Sequence, residues 1–370
     1  MKKRKLIVVG GFLGSGKTTA IHQAARCLRK DHKKAGMITN DHGTLHVDTA
    51  FMKGQGIPTA EVSAGCFCCH YAELADRIEW LLRTTGPDII FAEPVGSCVD
   101  LAATVINPLL TANAGRYDVV LSVFADSRLL LAFLTGNKPV FSDNVNYIYE
   151  NQLREADILV VNKIDLLAAD QLEWAKERMG REYGDKIVLF QNSLAEESVG
   201  QWLACCDNYS DRELRPALDI DYGIYGAGEA QLAWMDEEIG IVSPDANAVR
   251  TAYELMQMLH RRITGNGWPI GHLKFLLDDG QEQKKVSFTT IPGDGPAEPA
   301  DAADAAHAQA DRAVVIVNAR IHAAPELVRQ LTRRTILDLE AATGCRITEH
   351  RASAFRPGYP RPTHRIIKRV

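Results

Sequence analysis

The chain has 370 residues, a net charge of −5, and 24% charged residues of both signs. That length can hold two cored domains, and interspersed charge without a basic stripe argues against a nucleic-acid partner. No apolar run reaches the roughly 18 residues that crossing a membrane requires, and the one behind Met1-Lys2-Lys3-Arg4-Lys5 is too short for a signal peptide, so the expected location is the cytoplasm, away from membranes.

The first predicted strand, 6–10, runs into Gly11-Phe12-Leu13-Gly14-Ser15-Gly16-Lys17-Thr18-Thr19 and then a helix over 20–30. Strand, glycine loop, helix is the context in which G-x-x-x-x-G-K-[ST] cradles phosphates. Glycines turn successive backbone N–H groups inward, and the helix N-terminus adds a favourable dipole. Gly14, Ser15, Gly16, Lys17, Thr18 and Thr19 are therefore the expected phosphate site. Lys17 would bridge the β- and γ-phosphates, and the Thr18 hydroxyl would ligate Mg²⁺. A second strand, 35–39, ends at Asn40-Asp41, where Asp41 is either a direct or outer Mg²⁺ ligand or an ordinary turn aspartate.

After a third strand, 58–62, comes Cys66-Phe67-Cys68-Cys69, three cysteines together in a chain with only 8. A helix over 71–83 follows, and a helix N-terminus favours thiolate. Thiolates are soft ligands for Zn²⁺ and Cu⁺ and, less specifically, for Co²⁺ or Ni²⁺. Three of them leave one tetrahedral position open, which His70 could fill. The alternatives are buried small-residue packing for the cluster and a solvated helix-start residue for His70.

A fourth strand, 88–92, leads to Glu93-Pro94-Val95-Gly96. Glu93 could hold the Mg²⁺ shell or orient water, and the Gly96 N–H could sense the γ-phosphate; the alternative is a strand capped by an exposed glutamate. Strands at 117–125, 157–162 and 187–191 complete a βαβ rhythm. It predicts an α/β P-loop NTPase domain with a mostly parallel sheet. Asn162-Lys163-Ile164-Asp165 lies at a strand's C-terminal end, where open parallel sheets bind ligands. The Asp165 carboxylate can accept from guanine N1–H and the exocyclic amine, and Ser193 would add the last base-side loop.

A short helix over 199–206 closes this domain, taken as 1–207, and the glycine-bearing segment 208–228 reads as a linker. Beyond it, 229–354 alternates as a strand at 231–242, a helix opening at Ser243-Pro244-Asp245, strands at 270–277 and 285–291, a strand at 313–321, a helix over 325–342 and a strand near 346–352. That order suggests a smaller α+β, ferredoxin-like domain. Pro292 to Asp311 reads as a low-complexity loop, and the Pro-rich tail 355–370 as an extended segment that docks on its own domain or on a partner.

The set GFLGSGKTT, GCFCC, EPVG and NKID, in this order over roughly residues 6–205, resembles the CobW-like GTPases, relatives of the GTPases that insert nickel into hydrogenase and urease. The resemblance implies a slow, Mg²⁺-dependent GTPase associated with metal trafficking, zinc homeostasis and cobalamin metabolism. It assigns Cys66, Cys68 and Cys69 to a transition metal; thiolate chemistry puts Zn²⁺ first, and the resemblance puts Co²⁺ second. It also gives Lys17 and Glu93 the catalytic work, and Thr18 with Glu93 the Mg²⁺. Asn162, Lys163 and Asp165 match the guanine motif. The histidine-rich tract of many such proteins is missing, because the 11 histidines are scattered. The leading expectation is a GTP-gated metal chaperone or metal-cofactor maturation factor, with a client metalloenzyme or corrinoid protein and a second copy of the chain, in a homodimer, as candidate partners. A GTPase switch that reactivates a corrinoid-dependent enzyme, with structural cysteines, is the alternative. A small-molecule phosphotransferase is disfavoured by the guanine motif.

Overall fold

The computed structural model describes residues 4–41, 43, 45–63, 65–112, 115–136, 140–210, 212–290 and 310–368. The chain forms two compact units: 1–42 with 55–228 and 359–370, and 43–54 with 229–358. Neither is continuous in sequence.

The first part of the chain holds strands β1 (Arg4–Gly10), β2 (Ala35–Asn40), β3 (Thr59–Val62), β4 (Ile89–Glu93), β5 (Tyr117–Asp126), β6 (Ile158–Asn162) and β7 (Ile187–Gln191). Its helices are α1 (Lys17–Lys30), α2 (Val47–Gly54), α3 (Tyr71–Thr84), α4 (Asn107–Ala112), α5 (Ser127–Thr135), α6 (Asp143–Glu155), α7 (Ala169–Glu182), α8 (Glu196–Asn208) and α9 (Tyr222–Ala230). The seven strands form one sheet in the order β3-β2-β4-β1-β5-β6-β7, parallel throughout. Strands β4, β5 and β6 are buried along their whole length, as a parallel sheet covered on both faces requires. Every strand therefore points its C-terminal end to the same edge. That edge gathers Gly10, Asn40, Glu93, Asp126, Asn162 and Gln191.

The segment expected as a linker is helical from Tyr222 onward. Its glycines mark close packing rather than loose chain. A Cβ on Gly226 would lie 2.4 Å from the Tyr359 ring, and one on Gly228 would lie 2.5 Å from the Asn144 carbonyl oxygen.

The second unit contains α2, β8 (Ala233–Val242), α10 (Ala248–Gly265), β9 (Ile270–Asp278), β10 (Gln283–Phe288), β11 (Arg312–Ile321), α11 (Pro325–Thr343) and β12 (Arg346–Phe355). Its sheet runs β10-β9-β11-β8-β12, antiparallel at every pairing. Without β10, the order β12-β8-β11-β9 with two helices is the ferredoxin-like split βαβ arrangement; β10 extends it as a hairpin partner of β9. Val249, Tyr253, Met256, Leu259 and Ile263 of α10 enter the core together, at helical spacing. The helix starts at Ala248, later than the Ser243-Pro244-Asp245 expectation. Ser243 instead accepts N–H bonds from Asp245 (3.3 Å) and Asn247 (3.0 Å), shaping the turn ahead of the helix.

Helix α2 lies between β2 and β3 in sequence yet belongs to the second unit. Asp48 pairs with Lys274 at 2.6 Å and Lys285 at 2.5 Å. The Val47 N–H donates to Asn318 Oδ1 (3.0 Å), and Asn318 Nδ2 donates to the Leu45 carbonyl (2.7 Å). Burial alone would raise the Asp48 carboxyl, but the two lysines outweigh it and hold it well below the usual range. Residues 291–309, most of the expected low-complexity loop, lie outside the described residues. No described helix is long and apolar enough to cross a membrane.

Candidate nucleotide and metal site

The turn from β1 into α1 has the backbone that its glycines imply, with φ of 119° at Gly11, 73° at Gly14 and 90° at Gly16. Gly16 is also sterically required, since a Cβ there would lie 2.3 Å from Asn162 Nδ2. Lys17 Nζ folds back on the loop and donates to the Gly11 and Phe12 carbonyls at 2.8 and 3.0 Å. Thr18 Oγ1 donates to both Glu93 carboxylate oxygens, each at 3.1 Å. Glu93 is buried, which excludes the exposed strand-end alternative. A hydroxyl and a buried carboxylate at this distance form a hard-oxygen pair that fits Mg²⁺. Gly96 sits against the phosphate loop, and a Cβ there would lie 2.7 Å from Leu13 Cδ2. Ser15 donates to the Phe12 carbonyl (2.8 Å), and Thr19 lies in the first turn of α1. Asp41 follows β2 directly and is half-buried.

On the base side, Asn162 is a brace. Its Nδ2 donates to the Ser15 carbonyl (2.8 Å), and its Oδ1 accepts from the Ser193 hydroxyl (2.7 Å) and N–H (3.1 Å). Lys163 adopts a left-handed backbone, φ 62°, and its ammonium reaches the Gly14 carbonyl (2.7 Å) and Asp126 Oδ2 (2.8 Å). Asp165, in the short turn Ile164–Leu166, is exposed. Asp126 was not anticipated from the sequence. It caps α5 through the Arg128 N–H (3.0 Å) and pairs with Lys163. Burial pushes its carboxyl up, but Lys163 and Arg128 reverse this and keep it ionised. A strand-end aspartate immediately ahead of a helix was the available signal.

The cysteine loop joins β3 to α3. The Cys66 sulfur lies 2.6 Å from that of Cys68 and 3.2 Å from that of Cys69, with Cys68 to Cys69 at 3.7 Å. All eight cysteines are free; Cys66 and Cys68 are buried and Cys69 is half-buried. Among the described residues, this is the only group of three or more histidine, cysteine or acidic ligand atoms mutually within 4.8 Å. Hydrogen bonding to Cys66, then to Cys69, and burial push the Cys68 thiol well above its usual range. Three sulfurs this close can all lose their protons only when a cation shares their charge. The donor set thus fits a soft metal ion. His70 stands at the N-cap of α3 outside this cluster, its ring against Gly65 and its Nδ1 buried without a hydrogen-bond partner.

A further unanticipated residue links the two loops. Asn40, the last residue of β2, donates to the Val62 (3.0 Å) and Gly65 (2.6 Å) carbonyls and accepts from the Phe67 N–H (2.9 Å). Its backbone neighbour Thr39 lies opposite Glu93 in the sheet. Asparagine ahead of an aspartate reads in sequence as turn chemistry, so its grip on a loop 25 residues away had no local signature.

Residues 5–189, half of the chain, match the family described as CobW/HypB/UreG, nucleotide-binding domain. A protein of Sinorhizobium sp named zinc chaperone CobW is 29% identical over 217 residues, covering 50% of this chain and 57% of that protein. Zinc chaperone YeiR of Escherichia coli is 31% identical over 185 residues, covering 48% and 51%. The chain thus spans about half the length of these relatives. Among solved structures, nickel-bound HypB from Helicobacter pylori is similar at a TM-score of 0.41 and 18% identity, covering 57% of this chain and 92% of that one. The family match, together with a phosphate loop, a buried acidic strand end and a guanine-type loop at one sheet edge, identifies the chain as a member of the CobW/HypB/UreG nucleotide-binding family.

Proposed function

We propose that the protein is a slow, Mg²⁺-dependent GTPase that carries a transition metal on Cys66, Cys68 and Cys69 and passes it to a client protein when the nucleotide state changes. The observation that carries this reading is Asn40. One side chain at the end of β2 holds the Val62 and Gly65 carbonyls ahead of the cysteines and the Phe67 N–H among them, while the adjoining Thr39 lies opposite Glu93 of the nucleotide site. A shift of this strand end would change the spacing of the sulfurs. Two relatives bear the name zinc chaperone, which makes Zn²⁺ the first cargo to test.

In this reading Lys17 leaves the Gly11 and Phe12 carbonyls for the β- and γ-phosphates. Thr18 and Glu93 would hold Mg²⁺, which would supply charge neutralisation at the transferring phosphoryl group. Asp165 reads guanine, while Asn162 and Lys163 fix the loop that carries it. Zinc affinity measured with GDP and with a non-hydrolysable GTP analogue tests the gating. Linkage requires that zinc change nucleotide affinity by the same factor, typically about 1–3 kcal/mol. Identical affinities in both states would remove the gating and leave a GTPase with a static cysteine cluster. Self-association is part of the same proposal, read by light scattering in the two nucleotide states.

A further inference from the structure

After β12 the chain returns to the first unit, and its last described residues lie across the cysteine loop. The Thr363 N–H donates to the Cys68 carbonyl at 2.9 Å, with its hydroxyl at 3.3 Å from the same oxygen. The Arg361 N–H donates to Cys69 Sγ at 3.2 Å. His364 packs edge-on against Tyr71, the first residue of α3, at 4.9 Å between ring centres. Farther along, Arg365 Nε donates to Asp100 Oδ2 at 2.7 Å, and the Tyr222 hydroxyl donates to the same oxygen at 2.6 Å. The Ile366 N–H donates to the Ala103 carbonyl (2.8 Å), and the Ile366 carbonyl accepts from Asn107 (2.8 Å).

We propose that residues Tyr359–Lys368 form a strap that completes the cysteine site, with the Arg361 N–H as a hydrogen-bond donor to Cys69 and the Arg365–Asp100 pair as its anchor, and that this strap controls how fast metal leaves. Three features support it. Cys66 and Cys68 are buried, so the half-buried Cys69 is the sulfur through which a ligand exchange with an acceptor can begin, and it is the one the strap covers. An N–H donated to a metal-bound thiolate stabilises its charge and resists the attack of a competing ligand. Asp100 is a buried, non-glycine residue at φ 62°, a conformation that persists only where its surroundings enforce it, and Arg365 and Tyr222 both close on its carboxylate. The strap itself is rich in proline, so its extended form loses little entropy on docking, and it can leave and return without refolding.

The proposal rests on the metal-carrying reading above for the identity of the cargo. Its test compares the wild-type chain, Arg361→Ala, Arg361→Pro and a chain ending at Gly358. Arg361→Ala keeps the backbone donor. Arg361→Pro removes that donor, in a position before Pro362 where an extended backbone is favoured and proline fits. Two rates are read: the pH-independent rate constant for alkylation of the Cys69 thiolate by iodoacetamide in metal-free protein, taken from the pH profile so that only access and the hydrogen bond differ between chains, and located by peptide mass; and transfer of bound Zn²⁺ to a chromogenic chelator.

Arg361→Ala should match wild type. Arg361→Pro should be about tenfold faster in both assays, the loss of one hydrogen bond to a charged group. The shortened chain should be at least as fast, with GTP affinity unchanged in all four. Equal rates in wild type, Arg361→Pro and the shortened chain would overturn the strap. If the shortened chain loses GTP binding, its fold has suffered and Arg361→Pro decides. A wild type that retains no Zn²⁺ would overturn the metal-carrying reading instead, and the alkylation rates would still decide whether the strap covers Cys69.

Discussion

The phosphate loop and the cysteine loop lie on the same sheet edge, but they are held in different ways. The phosphate loop is shaped by its own backbone, with three glycines at positive φ, a lysine bonded to two carbonyls of the same loop, and α1 beginning directly behind it. The cysteine loop closes one turn of its own, the Cys69 and His70 N–H groups both donating to the Cys66 carbonyl at 3.0 Å. Beyond that turn it is held from outside, by Asn40 of β2 on one side and by Arg361 and Thr363 on the other. The outside contacts of the phosphate loop, from Asn162 and Lys163, come from the base side of the same nucleotide site. A loop held by remote segments can be changed by whatever moves those segments, which is the property a carrier needs.

Breaking the first loop should have the largest effect. Lys17→Ala or Thr18→Ala should lower GTP turnover by at least about 100-fold, the scale for losing one preorganised electrostatic partner. Zinc stoichiometry should stay at wild type, because neither residue supports the cysteines; loss of zinc in either variant would contradict the separation of the two loops. Breaking the second loop comes next. Asn40→Ala should weaken zinc binding by about 10–100-fold, as for residues that orient metal ligands rather than ligate. GTP affinity in metal-free protein should change far less, and calorimetry with each ligand measures both.

Asp165→Asn sharpens the base side alone. Loss of one charge-assisted hydrogen bond should cost about 1.5–3 kcal/mol of GTP affinity and shift preference toward xanthine nucleotides. Equal wild-type affinity for GTP and ATP would remove the role given to Asp165.

The smallest effect on either loop should come from Glu237 in the second unit, which sets the baseline. Burial, with Glu349 beside it, pushes the Glu237 carboxyl up to about 8. The folded chain therefore holds a proton that the unfolded chain releases near its ordinary value of about 4.3. This contribution to stability is full below the ordinary value and is lost as pH rises through about 8. Glu237→Gln should match wild type at pH 4 and be more stable at pH 9, by on the order of a few kcal/mol. Thermal unfolding at the two pH values reads it, and turnover and zinc binding should not change.

The sequence made legible those parts whose cause is local. Most of the seven parallel strands were readable as apolar runs ended by a polar or glycine turn, β3 (Thr59–Val62, with Glu61) by its place in the βαβ rhythm, and the α10 face because its apolar residues recur at helical spacing. The phosphate loop and Asn162–Asp165 were readable because their chemistry is confined to a few adjacent residues. What escaped depends on partners distant in sequence. The glycines of α9 read as linker because the Tyr359 ring and the Asn144 carbonyl that demand them are not nearby in the chain. The fate of α2 escaped because Asp48 finds its charges at Lys274 and Lys285. Asn40, Asp126 and Asp100 escaped as site residues because a strand-end or loop polar residue has no local mark to distinguish a brace from a turn.

The strap also sets a schedule for biosynthesis. The phosphate loop and the strands that support it emerge from the ribosome early, and domains generally fold as they are made, N-terminal parts first. Residues Tyr359–Lys368 follow the whole of the second unit. A nascent chain can therefore offer a finished nucleotide site while its cysteine loop still lacks one wall. Cargo taken up at that stage would be loosely held and easily lost to cellular thiols, so loading would become effective only once Tyr359–Lys368 have emerged.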